Sequence, residues 1–248
     1  METIVESDDL RITFEPGTGA GDELVLSFTG ANHSLGGMQK EEFLHSLRRP
    51  SLVRDAYFIT DKSRSWYNVT ADLIVRSLKD RVAGKSFYTL GNSMGGFGAL
   101  LFANLFGSCQ GSVSFSPQYS VSAELAPFES RWADLVTAIR DWRHPTCIPA
   151  ESLMRRPQYV FCGARSQDDV RHAELIRSHA SDRTTVFVIA DCDHLVVREL
   201  KTRGGLHDLL DTVFSAGGSR EMIETILTRC GFEFSVWPQT SNVGARVE

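Results

Sequence analysis

The chain has 248 residues, 42% of them hydrophobic, and its 26 Lys and Arg against 31 Asp and Glu give a formal net charge of −5. That length can bury a large core and fits one α/β domain over 1–248, while the acidic balance, with no basic stripe among aromatics, argues against a nucleic-acid partner. No apolar run approaches the roughly 18 residues that span a bilayer.

The N-terminal stretch carries Glu2, Glu6, Asp8 and Asp9, which is wrong for a secretory or transit peptide. Cys109, Cys147, Cys162, Cys192 and Cys230 are scattered without metal-finger or C-x-x-C spacing and read as reduced thiols of a soluble cytoplasmic protein. The alternation over Leu10 to Phe14 predicts a half-buried first strand. A loop from Pro16 to Gly21 leads to an apolar strand, Glu23 to Thr29, and then to the glycine-bracketed Gly30-Ala-Asn-His-Ser-Leu-Gly-Gly37. Glu41 to Arg48 reads as a short helix and Ala56 to Thr60 as a buried strand. Asn68 or Thr70 is placed to cap an amphipathic helix with Leu73, Ile74, Leu78 and Val82 inward. A strand over Ser86 to Leu90, a helix from about Gly96 to Phe106 and a strand over Ser112 to Ser116 follow.

Between Pro117 and Arg156 the pattern loosens, with four of the eight prolines and two of the four tryptophans, and reads as an insertion over the strand ends. Alternation resumes over Gln158 to Cys162, with a helix from about Asp169 to Ala180 and a last strand over Thr185 to Ile189. A helix from about Leu195 breaks at Gly204-Gly205 and resumes through Phe214, and Arg220 to Thr228 forms the final one. Strands alternating with helices predict a mainly parallel sheet covered on both faces, with the working site beyond the carboxyl ends of the strands.

Gly91-Asn-Ser93-Met-Gly95 lies between a predicted strand and a predicted helix. A serine on so sharp a turn needs neighbours without side chains two positions away. The turn lifts the Ser93 oxygen from the sheet and puts the Met94 N–H at a helix N-terminus, where it can hold an oxyanion. A hydroxyl nucleophile needs a base, and the base an orienting carboxylate. His194 is the one histidine after Ser93 that directly follows a strong strand; His172, His179 and His207 fall in helical runs, where a solvated or packed role is expected. Asp168 and Asp169 follow the preceding strand. One of them is expected to cap the next helix and the other to face His194, with Asp169 favoured. Asp191 and Asp193 read as loop groups. No Cys/His cluster points to a metal, and no G-x-G-x-x-G follows the first strand, so no cofactor is expected.

These features, across nearly the whole chain, resemble the α/β-hydrolase superfamily. The resemblance implies that Ser93 attacks an acyl carbonyl, His194 shuttles the proton and Asp168 or Asp169 orients the imidazole. It places a second oxyanion donor in Gly30-Ala31-Asn32, from a backbone N–H of Ala31 or Asn32 or from the Asn32 amide, although the His-Gly form of many lipases is missing there. Asn92-Ser-Met-Gly-Gly-Phe-Gly-Ala99, Ser65-Trp-Tyr-Asn68 and Phe115-Ser-Pro-Gln-Tyr119 are similar to segments of bacterial esterase-like proteins of glycan and polysaccharide systems.

Strand-end loops bring His33, Asp61, Arg64, Trp66, Tyr67, Gln118 and Tyr119 toward the site as a polar, aromatic-edged pocket for a small acyl ester, a sugar-linked one included. The plainer alternative packs Trp66 and Tyr67 under the next helix and pairs Arg64 with Asp61. Trp132 and Trp142 either line a lid or pack the insertion onto the sheet. The expected activity is ester or thioester hydrolysis through an acyl-enzyme. An acyltransferase with the same triad, a serine peptidase and an idle binding module are the alternatives.

Overall fold

The computed structural model describes residues 1–17, 23–32, 34–35, 38–39, 41–48, 54–150, 155–216 and 218–237. The strands are β1 (Glu2–Glu6), β2 (Leu10–Glu15), β3 (Glu23–Phe28), β4 (Ser34–Leu35), β5 (Met38–Gln39), β6 (Asp55–Asp61), β7 (Ser86–Asn92), β8 (Cys109–Phe115), β9 (Gln158–Gly163), β10 (Thr184–Ile189) and β11 (Phe234–Trp237). The helices are α1 (Leu44–Leu47), α2 (Ala71–Val82), α3 (Met94–Leu105), α4 (Ala133–Val136), α5 (Gln167–His179), α6 (Val196–Thr202), α7 (Gly205–Ala216) and α8 (Arg220–Arg229). Among the described residues β4 and β5 pair only with each other, and the other strands form one nine-stranded sheet in the order β1-β2-β6-β3-β7-β8-β9-β10-β11.

From β6 to β10 every neighbouring pair is parallel, while β1, β2 and β11 add antiparallel edges. Two of these edge strands, β1 and β11, were not expected. β1 has exposed glutamates at both ends, as suits an edge that must not recruit another strand, and β11 is too short to show an alternation.

Successive residues of a strand point to opposite faces, and the core divides accordingly. Leu24, Leu26 and Phe28 of β3, Tyr57 and Ile59 of β6 and Val186 and Val188 of β10 pack on one face with α2, α3 and α5. Val25, Phe58, Phe161, Phe187 and Ile189 pack on the other with α6, α7 and α8. Central α3 is buried from Met94 to Asn104, because it lies between the sheet and the surrounding elements rather than on the surface. No helix among the described residues is long and apolar enough to cross a membrane.

Segment 117–150 contains only the four-residue α4, with turns and bends otherwise. It is fastened by side chains rather than by strand pairing: the Asn68 carboxamide oxygen accepts the His144 N–H at 2.8 Å, and His172 Nδ1 accepts the Tyr119 N–H at 3.2 Å, while Ser120 Oγ donates to Pro145 O within the segment. Asn68 is therefore a tie to this segment, and Thr70, the residue before α2, makes no side-chain cap.

Candidate active site

Ser93 occupies the turn between β7 and α3 at φ 56° and ψ −122°, a region that only over-determined backbone retains. Its N–H donates to Phe115 O at 2.8 Å, and its own carbonyl accepts the Phe97 N–H at 3.0 Å as the first turn of α3 closes. A Cβ on Gly91 would lie 2.0 Å from Gly95 O, and one on Gly95 would lie 2.1 Å from Phe28 O. Both glycines are therefore dictated by close backbone approach, the first to the helix start and the second to the neighbouring strand. Met94 is the first residue of α3, so its N–H has no acceptor within the helix.

His194 follows β10 and lies with its ring between two oxygens. Nε2 is 3.0 Å from Ser93 Oγ, and Nδ1 is 2.7 Å from Asp169 Oδ2. The Asp169 side chain is fully buried. Burial alone would raise its pKa, yet the His194 contact and then Arg131 outweigh it and hold the carboxyl below its ordinary value. An ionised carboxylate only accepts, so Nδ1 carries the proton and the lone pair of neutral Nε2 faces the serine hydroxyl. The His194 carbonyl is also fixed, accepting Ser116 Oγ–H at 3.0 Å.

Asp168, one residue earlier, faces away from the histidine. Its carboxylate lies 3.5 Å from Arg171 and 4.0 Å from Arg131. Nor does either aspartate cap α5: the cap is Ser166, whose Oγ accepts the Asp169 N–H at 3.4 Å. The expectation that one of the two aspartates caps the helix while the other faces His194 is thus corrected in its capping half, and the reason is local. A serine one residue before the helix reaches the third amide, leaving both acids in the first turn on different sides. Asp191 pairs with Arg203, and Asp193 accepts the Leu195 N–H at 2.8 Å.

Ser93 and His194 open on a cavity of about 690 Å³ whose walls include Thr29, Gly30, Ala31, Asn32, Glu42 and Trp132. Phe43, Leu44, Leu195, Val197 and Leu206 add apolar surface, and Arg198 and Lys201 of α6 also line it. His33 lies outside the described residues. Four more of the residues expected to edge the pocket are buried behind it: Trp66, Tyr67 and Gln118 at 0% exposure and Tyr119 at 7%. Their place in the lining is corrected, and what they do instead is support. Gln118 Nε2 lies 3.4 Å from Ser93 Oγ, while its Oε1 accepts the Trp66 indole N–H at 2.9 Å. Tyr67 donates its hydroxyl to Thr29 O at 2.8 Å, steadying the strand end before Gly30.

Asp61 is what bends that support loop. It is fully buried and accepts from Ser63 Oγ, Ser65 N, Ser65 Oγ and Tyr67 N at 2.6–2.9 Å. Those bonds hold Arg64, Trp66 and Tyr67 at positive φ of 53°, 50° and 62°. Burial raises the Asp61 pKa despite the four donors. The expected Arg64–Asp61 ion pair is absent among the described residues, because serine hydroxyls and amides already fill the carboxylate.

Three contributors escaped the sequence reading. Glu42 reaches back to the Gly30 loop, with Oε2 accepting the Gly30 N–H at 2.7 Å and Oε1 accepting from Asn92 Nδ2 at 3.3 Å. Arg131 Nη1 lies 2.8 Å from Asp169 Oδ1. His172, expected in a solvated or packed role, is fully buried, with Nδ1 accepting the Tyr119 N–H at 3.2 Å and Nε2 facing Glu129 at 2.9 Å. None carries a local pattern, since each partner lies in another element. No cluster of three or more His, Cys, Asp or Glu fit to hold a metal occurs among the described residues.

No protein-family model and no curated protein matches the sequence. Solved structures do match in shape. An esterase from Exiguobacterium antarcticum superposes with a TM-score of 0.57 at 12% identity, covering 87% of this chain and 99% of that one. A Pyrococcus furiosus esterase gives 0.54 at 14%, covering 92% and 90%. A 2,6-dihydroxy-pseudo-oxynicotine hydrolase gives 0.56 at 14%, covering 84% of this chain and 66% of the hydrolase. The chain has the α/β-hydrolase fold.

Proposed function

We propose that the protein is a serine hydrolase that cleaves carboxylic esters or thioesters through an acyl-enzyme. The observation that carries this reading is the continuous hydrogen-bonded path Ser93–His194–Asp169 at the wall of an open cavity. Its position beyond the strand ends, in a fold shared with solved esterases and hydrolases, supports the same reading.

Ser93 Oγ attacks the acyl carbonyl while His194 Nε2 takes its proton. The imidazolium so formed is stabilised by Asp169. The oxyanion is held by the Met94 N–H and by an amide of Ala31 or Asn32, since the Gly30 N–H is already bound by Glu42. Collapse expels the alcohol or thiol, which receives the proton from His194. Water then attacks the acyl-enzyme, with His194 again as base, and the acid leaves.

The test is labelling by a fluorophosphonate. Wild type should react at one site and Ser93→Ala should not; a folded wild type that fails to label overturns the proposal. A panel of p-nitrophenyl esters, acyl-CoAs and acetylated sugars, scored for free acid, then defines the acyl and leaving groups and separates hydrolysis from transfer.

A further inference from the structure

The buried carboxylate of Asp169 has two oxygens and two partners from different parts of the chain. Oδ2 meets His194, and Oδ1 meets Arg131 Nη1 at 2.8 Å. Arg131 is itself held. Its Nε lies 3.0 and 3.1 Å from the two oxygens of Glu129, and its backbone N–H donates to Glu129 Oε1 at 2.9 Å. The Glu129 side chain is only 1% exposed, and Oε2 also meets His172 Nε2 at 2.9 Å. Since His172 Nδ1 accepts the Tyr119 N–H, its proton is on Nε2 and points at Glu129. Burial works against the Glu129 carboxylate, but the His172 and Arg131 contacts outweigh it and hold it at about 2. Trp132, the next residue, lines the cavity.

We infer that Arg131, clamped by Glu129, is a positioning residue that fixes the plane of Asp169 and tempers its charge, so that segment 117–150 sets how Asp169 acts on His194. The inference rests on the hydrolase reading above. With Oδ1 committed to a guanidinium, Asp169 cannot rotate off His194 without breaking an ion pair whose carboxylate is fully buried. The same cation offsets part of the negative potential that Asp169 places on the imidazolium. A structural staple between the segment and α5 would use the same contacts but would not set the pH dependence of Ser93.

The charge arithmetic separates the two roles. Arg131→Met leaves Asp169 and Glu129 as uncompensated carboxylates, favouring protonated His194, and so moves the acidic limb of Ser93 reactivity to higher pH. Glu129→Gln keeps the cation and removes its counter-charge, moving the limb to lower pH. Arg131→Lys keeps the charge and loses the planar fork. The other ionisable groups around this centre include Asp168, Arg171, His172 and Glu174 on α5, the Cys162 thiol on β9, Asp193 beside His194, and Glu41, Glu42, His45, Arg198 and Lys201 around the cavity. All stay the same in every variant.

The experiment is the second-order rate of fluorophosphonate labelling against pH, with a thermal melt of each protein. We expect Arg131→Met to label about tenfold to hundredfold more slowly, with the midpoint raised by roughly half a pH unit or more. Glu129→Gln should lower the midpoint, and Arg131→Lys should keep it near wild type with a reduced plateau. A folded Arg131→Met with wild-type rate and midpoint overturns the inference. If that variant does not fold, Glu129→Gln without a downward shift overturns it. Labelling of wild type with unshifted variants defeats this inference alone, whereas no labelling of folded wild type defeats it together with the hydrolase reading.

Discussion

The β7–α3 turn and segment 117–150 both reach Ser93, and they do so by opposite means. The turn works through backbone: Gly91 and Gly95 are pressed against main-chain oxygens, and Ser93 takes a conformation set by strands on either side. The segment has one four-residue helix and works through single long side chains. Gln118 reaches Ser93 across 25 positions, and Arg131 reaches Asp169 across 38. Backbone sterics leave almost no freedom in composition, so they write a motif. Side-chain reach tolerates many sequences for one contact, so it writes none.

The contrast can be broken in order of expected effect. Ser93→Ala should abolish labelling, and Asp169→Asn should lower ester turnover by about four orders of magnitude, as a wrong tautomer does elsewhere. Asp168→Asn, a residue away but facing Arg171 and Arg131, should cost less than about threefold. Fluorophosphonate labelling measures the first and initial rates on p-nitrophenyl acetate the other two, and a loss for Asp168→Asn equal to that for Asp169→Asn would reverse the assignment.

On the backbone side, Gly91→Ala forces a Cβ onto Gly95 O, and should destabilise by roughly 3 kcal/mol or more, or yield no folded protein. A thermal or urea melt followed by circular dichroism reads this directly. A wild-type melt would show that the turn yields more easily than its geometry implies.

Acid should reveal the side-chain region first. Glu129 and Asp169 ionise below their ordinary values of 4.5 and 3.8, so the folded state gains stability above those values and loses it as pH falls through the folded ones, about 2 for Glu129. Urea midpoints should therefore decline from about pH 4.5 downward, and less steeply in Glu129→Gln. An identical decline in that variant would remove Glu129 from the account. A modest effect belongs to Trp66→Phe. It takes the indole donor from Gln118 Oε1 and should cost about 2 kcal/mol in a urea titration, with a modest fall in turnover.

The extent to which all this was legible follows the same division. The order of Ser93, a post-strand carboxylate and His194 was visible because each follows an apolar strand, and strand ends are where such sheets present their groups. The choice between Asp168 and Asp169 was open in sequence, since both lie in the first turn of one helix and only their sides differ. The pocket edge differs from the converging strand-end loops expected, and Trp66 and Tyr67 follow the plainer packed alternative. Asp61 instead folds Trp66 and Tyr67 inward, a consequence of four buried hydrogen bonds that no local pattern records.

By itself, then, the sequence determined the alternation of strand and helix, the sharp turn at Ser93 and the strand that delivers His194. These depend on periodicity and on glycine at fixed short spacings, which are properties of neighbouring residues. The tertiary structure alone decided that Asp169 faces the imidazole, that Glu42 binds the Gly30 amide and that Arg131 closes on Asp169 from outside. Those contacts join elements far apart in the chain, and they form only once the sheet has brought their strand ends together.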